Sequence, residues 1–303
     1  MSSSYPIGQA GTPWGVAEIA AWRSAQVKQR SYNNEVISKI DQLPESCVIE
    51  QYGELNYAEH YPLLAIKSAI WQRNRPTILI TGGVHGYETS GVQGALCFAR
   101  EHISDYQQHV NIIITPCVSP WGYEHIQRWN PEAIDPNRSF YQDSPVPESA
   151  QLMAYIQAQD EPIWFHIDLH ETTDSDEQEF RPALAAKQGK PYEADSIPDG
   201  FYLVADSAKP TLEFQRAIID SVAKVTHIAP SDDQGLIIGE KVVQPGVILY
   251  PMAKLGLCGS LSDCQFHATT EVYPDSPKAT PSQCNKAQVA AILGGLNYVL
   301  AQR

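Results

Sequence analysis

No stretch of this 303-residue chain approaches the ~18 consecutive apolar residues that a membrane-spanning helix needs. The opening segment MSSSYPIGQAGTPWG has neither the basic start nor the apolar run of a secretory signal. These two absences predict a soluble, cytoplasmic protein with no membrane partner. Basic residues are scarce as well. Lys and Arg total 21 against 35 Asp and Glu, and the formal charge of -14 repels phosphate backbones, so nucleic acid is excluded as a partner. The six cysteines, Cys47, Cys97, Cys117, Cys258, Cys264 and Cys284, include no CxxC pair, which argues against a zinc ribbon and against a disulfide framework. Reduced thiols are expected, with Cys258 and Cys264 the one pair that a loop could bring together. Internal repeats and low-complexity tracts are lacking too.

What remains is enough apolar material for a full core: 43% of the residues are hydrophobic. Short apolar runs at 77–80, 110–114, 164–169, 202–204 and 269–272 read as buried strands. Between them, residues 89–103, 148–159, 211–225 and 284–301 repeat apolar side chains at three and four positions and read as helices. This alternation predicts an α/β fold with a mixed, mostly parallel central sheet and helices on both faces. The chain reads as one domain over 1–303, in which residues 1–45 form an N-terminal extension with a helical stretch from Val16 to Ile40. The acid-, Gly- and Pro-rich stretch 171–200 reads as an excursion over an active site.

Four short segments carry the chemistry. In 77–91 an apolar strand ends in a glycine turn and then presents His85 and Glu88, three apart, as on one face of a helical turn. An imidazole and a carboxylate that converge at a strand end can bind zinc, and a third ligand is then expected from another strand end. Residues 163–171 supply it. The even positions Trp164, His166, Asp168 and His170 share one face, and His170 stands nearest the carboxyl end. His166 reads as a core histidine bonded to a neighbour. The loop 127–140 gathers Arg128, Asp135, Asn137 and Arg138, and an Asn-Arg pair suits the capture of an anionic substrate end. Glu271 lies in an apolar-flanked strand, where an unpaired carboxylate costs several kcal/mol unless something beside it, such as a metal-bound water, explains it.

In this order the motifs His85-x-x-Glu88, the Arg128 to Arg138 loop, Asp-Leu-His170 and Thr-Thr-Glu271 resemble the zinc carboxypeptidase superfamily over roughly residues 75–275, including its aspartoacylase and succinylglutamate desuccinylase branch. That resemblance implies a three-layer α/β/α fold and one Zn²⁺ ion held by His85, Glu88 and His170. It also implies that Asp135 orients a zinc-binding histidine, with His85 its partner. Arg128 would stabilise the oxyanion, Asn137 and Arg138 would hold the substrate carboxylate, and Tyr250 would correspond to a mobile carboxylate-binding tyrosine. Glu271 would be the general base.

The activity so implied is a metallocarboxypeptidase that removes a C-terminal residue from peptides. An N-acyl amino acid deacylase is the first alternative and a catalytically silent metal- or ligand-binding protein the second. Either enzyme cleaves an amide beside a free carboxylate, so the expected partner is a peptide or acyl-amino acid. A two-metal site that draws on Asp174, Asp176, Glu177 and Glu179 or on His166 is the alternative to the single ion. The oligomeric state and the substrate side chain stay open, because the stretch 251–266 carries Leu255, Leu257 and Leu261 alongside Lys254 and Asp263.

Overall fold

The computed structural model describes residues 5–302. Eight strands build one sheet: β1 (Cys47–Asn56), β2 (His60–Ser68), β3 (Thr77–Gly82), β4 (Asn111–Thr115), β5 (Ile163–Glu171), β6 (Tyr202–Asp206), β7 (Val247–Tyr250) and β8 (Phe266–Val272). Their order across the sheet is β1-β2-β4-β3-β5-β8-β6-β7. Pairings β3/β4, β3/β5, β5/β8 and β6/β7 are parallel, while β1/β2, β2/β4 and β6/β8 are antiparallel. The sheet is thus mixed and mostly parallel, as the alternation of apolar runs predicted. The parallel core lies in the middle, where strands covered on both faces need near-continuous apolar sequence.

Five longer helices are α1 (Val16–Ala25), α2 (Thr89–Glu101), α3 (Pro147–Gln157), α4 (Leu212–Val222) and α5 (Pro281–Ala301). Helix α5 packs against both α2 and α4 on one side of the sheet. There Ile78, Ile80, Phe165, Ile167 and Leu169 meet Val92, Phe98 and Phe214. On the other side Leu79 and Ile113 pack against Leu152 and Ile156 of α3. Period-two alternation along β3 and β5 sends successive residues to these two layers. Of the even positions of β5 that read as one polar face, His166, Asp168 and His170 gather around Thr81 and Asn137, whereas Trp164, beside a slip in the β3/β5 register, packs against the first cluster.

Two readings of the sequence need correction. The stretch from Val16 to Ile40 is not one helix: α1 stops at Gln26, whose backbone is extended, and helical turns resume only at Asn33. The break is made by tertiary bonds. Gln29 and Arg30 both donate their backbone N–H to the Glu124 carbonyl, and the Arg30 guanidinium sits 3.6 Å above the Tyr123 ring. The excursion at 171–200 is likewise less open than its composition suggested, since Asp176–Phe180 and Arg181–Lys187 form helical turns. The N-terminal residues lie across it. Tyr5 donates to Glu179, Trp14 N–H donates to the Lys187 carbonyl at 2.9 Å, and the Trp14 ring meets Trp129 edge-on. No helix among the described residues is long and apolar enough to cross a membrane.

Candidate metal centre and active site

At the carboxyl end of β3 the chain turns sharply. Gly83 adopts φ +60, a left-handed conformation that favours glycine, and Gly86 lies so close to the short helix Pro120–His125 that a Cβ there would fall 2.0 Å from the Gly122 carbonyl carbon. The turn between them presents His85. Glu88 is not in a helix with it, as the three-residue spacing had suggested. It stands just before α2, and its N–H donates to the His85 carbonyl at 3.3 Å across the turn. Helix α2 begins without a cap from Glu88. Its first free N–H groups, at Thr89 and Ser90, are taken instead by the Glu171 carboxylate at 3.0 and 2.7 Å. One acid therefore caps the helix and leaves the other for the site. Burial outweighs these bonds and pushes the Glu171 carboxyl up to about 7.

The structure brings His85, Glu88 and His170 together, all buried, with ligand-competent atoms within 4.8 Å of one another. His85 Nδ1 lies 2.7 Å from Glu88 Oε1, and His170 Nδ1 lies 2.8 Å from Glu88 Oε2. Each imidazole is tied at its far nitrogen to another carboxylate. His85 Nε2 donates to Asp135 Oδ1 at 3.0 Å and His170 Nε2 to Asp168 Oδ2 at 2.7 Å. With both Nε2 protons so used, the Nδ1 lone pairs of two neutral rings would face the Glu88 oxygens, and Glu88 Oε2 gains a donor only when His170 carries a second proton. Such an arrangement of lone pairs asks for a cation. Without one, His170 holds a proton: burial opposes its charge, but Asp168 and Glu88 outweigh burial and keep its pKa well above the usual imidazole value. Two imidazoles and a carboxylate, each imidazole oriented by its own acid, fit a divalent zinc ion.

The flanking residues gather around this trio. Asp135 accepts from His85 at one oxygen and from Arg128 Nε at the other, 3.0 Å away. Burial would raise its pKa, yet the Arg128 and His85 charges hold it well below the ordinary carboxylate range. Arg128 is further fixed by Asp176 at 3.4 Å and by the Tyr87 hydroxyl at 3.3 Å. Arg138 bonds the Asn137 carbonyl and has no ion-pair partner among the described residues, whereas the Asn137 amide is engaged: its oxygen accepts the Cys258 N–H at 2.7 Å and its nitrogen faces His170 Nε2 at 3.4 Å. Glu271 sits beside His170 in the β5/β8 register and accepts the Thr172 hydroxyl at Oε2, 2.8 Å away. Burial pushes its carboxyl up to about 8. Tyr250, Glu271, Arg128 and Arg138 all line one cavity of about 620 Å³ with His85 and Glu88, a volume suited to a small ligand.

The acids of the excursion stand apart from the trio. Asp174 accepts the Tyr273 hydroxyl, Glu177 pairs with Arg181 and Glu179 accepts from Tyr5. Asp176, read in sequence as one of a solvated run, is buried against Arg128 and Tyr87. His166 does contact a neighbour, as its core reading required: its Nε2 lies 3.0 Å from the Thr81 hydroxyl, which also donates to Asp168 at 2.6 Å and lies 3.7 Å from Cys258 Sγ. That hydroxyl knits His166, Asp168 and Cys258 together. All six cysteines are free, Cys258 and Cys264 included.

Sequence reasoning placed Asp168 on the correct face but gave it no role, and it missed Glu171, Tyr87 and Thr81. The Asp168 signal was present, because i and i+2 on a strand share a face and an acid two residues before a ligand histidine can reach its ring. Thr81 and Tyr87 carry no such signal.

A zinc carboxypeptidase family model matches residues 51–174. No curated protein sequence matches the chain. Among solved structures, a chain from Shewanella amazonensis SB2B assigned as a metallopeptidase superposes with a TM-score of 0.63 at 18% identity, over 88% of this chain and 91% of that one. A metallo-carboxypeptidase from Burkholderia cenocepacia gives 0.59 at 16% identity over 96% and 70%. A metallo-carboxypeptidase from Pseudomonas aeruginosa gives 0.55 at 12% over 96% and 70%. At these identities the structures speak for the fold alone. The resemblance read from the motifs therefore holds in fold, and residues 51–174 match the zinc carboxypeptidase family model.

Proposed function

We propose that the protein is a zinc-dependent metallocarboxypeptidase that removes the C-terminal residue of a short peptide. The observation that carries this reading is the convergence of His85, Glu88 and His170, with both outer imidazole nitrogens tied to carboxylates and both inner ones turned to Glu88. Zinc, when bound by these side chains, supplies a Lewis acid and lowers the pKa of a bound water. The chain's own groups do the rest. Arg138, unpaired, binds the terminal carboxylate in a bidentate fork. Arg128, held by Asp135, Asp176 and Tyr87, keeps a fixed guanidinium ready for the oxygen that becomes negative during attack. Glu271 accepts the proton of the attacking water and passes it to the leaving amine, while its second oxygen stays bonded to Thr172.

One observation favours N-acyl amino acids as a second substrate class. The helical turns 176–187 wall the cavity with Phe180, Arg181, Leu184 and Lys187, which suits a short acyl portion. Assay of blocked dipeptides beside acyl-amino acids, with zinc present, decides between them. In either case Glu271→Gln is expected to retain zinc and lose about 10²–10⁴-fold in kcat. Parental turnover by that variant, or a purified protein that binds no zinc, would sink the proposal.

A further inference from the structure

Between the two candidate ligands of the first turn stands Gly86, and its buried carbonyl is held by a residue from the N-terminal arm. Arg30 Nη2 donates to the Gly86 oxygen at 2.7 Å. The other branch of the same guanidinium, Nη1, donates to the Thr89 hydroxyl at 2.7 Å, one residue after Glu88. Its Nε donates to the Tyr123 carbonyl at 2.5 Å, in the short helix Pro120–His125 against which Gly86 rests. One side chain thus grips both flanks of the ligand-bearing turn and the helix beneath it. The platform is itself fixed, since the Tyr123 hydroxyl donates to Glu35 at 2.9 Å and accepts from Gln93 of α2 at 3.0 Å.

A tie that served only the arm would need none of these bonds. The arm is already fastened by its backbone, through the N–H groups of Gln29 and Arg30 on the Glu124 carbonyl, and by the Glu124 carboxylate, which accepts the Tyr32 N–H at 2.9 Å and pairs with Lys28 at 2.5 Å. What the guanidinium adds lies on the other side, at the turn. Its three acceptors there are uncharged oxygens, so the turn uses the spread of the fork and not its charge. A lysine, with all its donors on one nitrogen, does not reproduce that spread. Arg30 also precedes residues 51–174, so the family match does not account for it.

Resting on the metal reading above, we infer that Arg30 is a positioning residue: through this one guanidinium the N-terminal arm sets the turn in the shape that lets His85 and Glu88 meet a divalent ion together with His170. It touches neither the ion nor the substrate. Its contribution is pre-organisation, because a turn that holds the competent shape only part of the time binds the ion more weakly by that fraction.

The test uses the full chain and the metal alone. Zinc affinity is measured by chelator competition, and cobalt(II) is loaded in place of zinc because its visible d–d spectrum reports the geometry of the ligands. Arg30→Lys is expected to weaken zinc about tenfold and to alter the cobalt spectrum, and Arg30→Ala to do the same. Lys28→Ala is the control. It removes a tie of the same arm, to Glu59 and Glu124, without touching the turn, and should keep zinc affinity within about twofold and the parental spectrum. If Arg30→Ala does not fold, Arg30→Lys, which keeps the charge over the Tyr123 ring, carries the comparison. Parental affinity or a parental cobalt spectrum in folded Arg30→Lys overturns the inference, as does an equal loss in Lys28→Ala. In the first of these cases a parent chain that binds the metal leaves the metal reading standing. A parent chain that binds neither ion takes both down.

Discussion

His166 and His170 lie on the same strand, on the same face, four residues apart and fully buried, yet they are opposite kinds of histidine. His170 stands at the strand end between Asp168 and Glu88, and these two charges overcome burial and favour the imidazolium. His166 lies one layer down, against the neutral Thr81 hydroxyl and 5.5 Å from the His267 ring, and burial pushes its pKa down to about 3. Asp168 stands between them with one oxygen for each branch: Oδ2 accepts from His170 and Oδ1 from Thr81. Burial alone does not tell a candidate ligand from a core residue. The count of uncompensated charges around the ring does.

The contrast can be broken most directly by removing each ring. His170→Ala is expected to abolish zinc retention through gel filtration, whereas His166→Ala should keep one zinc per chain and cost about 1–3 kcal/mol in chemical unfolding, the penalty of leaving a buried hydroxyl short of its partner. Retention of zinc by the first variant, or loss of it by the second, would reverse the assignment. The middle of the relay comes next. Asp168→Asn keeps the size of the side chain but no longer offers His170 a charged acceptor, and a zinc-chelator competition should show affinity weakened about 10–100-fold. An unchanged affinity would mean that Asp168 only fills space.

The smallest effect separates the two rings by pH. A histidine whose folded pKa is depressed binds fewer protons folded than unfolded between about 3 and the ordinary imidazole value of 6.5, so its contribution to stability falls as pH drops through that window. His170, with its pKa raised, contributes stability that is complete below 6.5 and is lost at higher pH in the metal-free chain. The slope from one proton is about 1.4 kcal/mol per pH unit at most. Guanidinium unfolding of the metal-free protein at pH 4 to 7 should therefore show a shallower acid loss in His166→Gln than in the parent. An equal slope in both would place the acid sensitivity elsewhere, His267 being the next ring whose pKa burial lowers, to about 4.

How much of this was legible in the sequence follows the same physics. The central strands β3, β4 and β5 were readable because burial on both faces demands long apolar runs, and the helices because their apolar residues recur at fixed spacing. The hairpin β1/β2 was not read. The edge strand β1 exposes half of its residues, among them Val48 and Ile49, and carries Glu50, Gly53 and Glu54, so no clean alternation marks it. At the site, His85, Glu88, His170 and Glu271 announced themselves as polar groups at strand ends. Glu171 and Asp176 looked like members of a solvated acidic loop, because their partners, the N–H groups of α2 and the side chains of Arg128 and Tyr87, lie 40 or more positions away and meet them only in the folded chain.

The close contact at Gly86 has a consequence for how the trio could ever be altered. Because the turn between His85 and Glu88 rests on the backbone of Gly122 with no room for even one carbon atom, any side chain added at position 86 must displace either those two residues or the short helix beneath them. That helix is also where Glu124 fastens the N-terminal arm through Gln29, Arg30 and Tyr32. A change of a single methyl group at residue 86 would thus be felt at both ends: as a metal site out of shape, and as an arm worked loose.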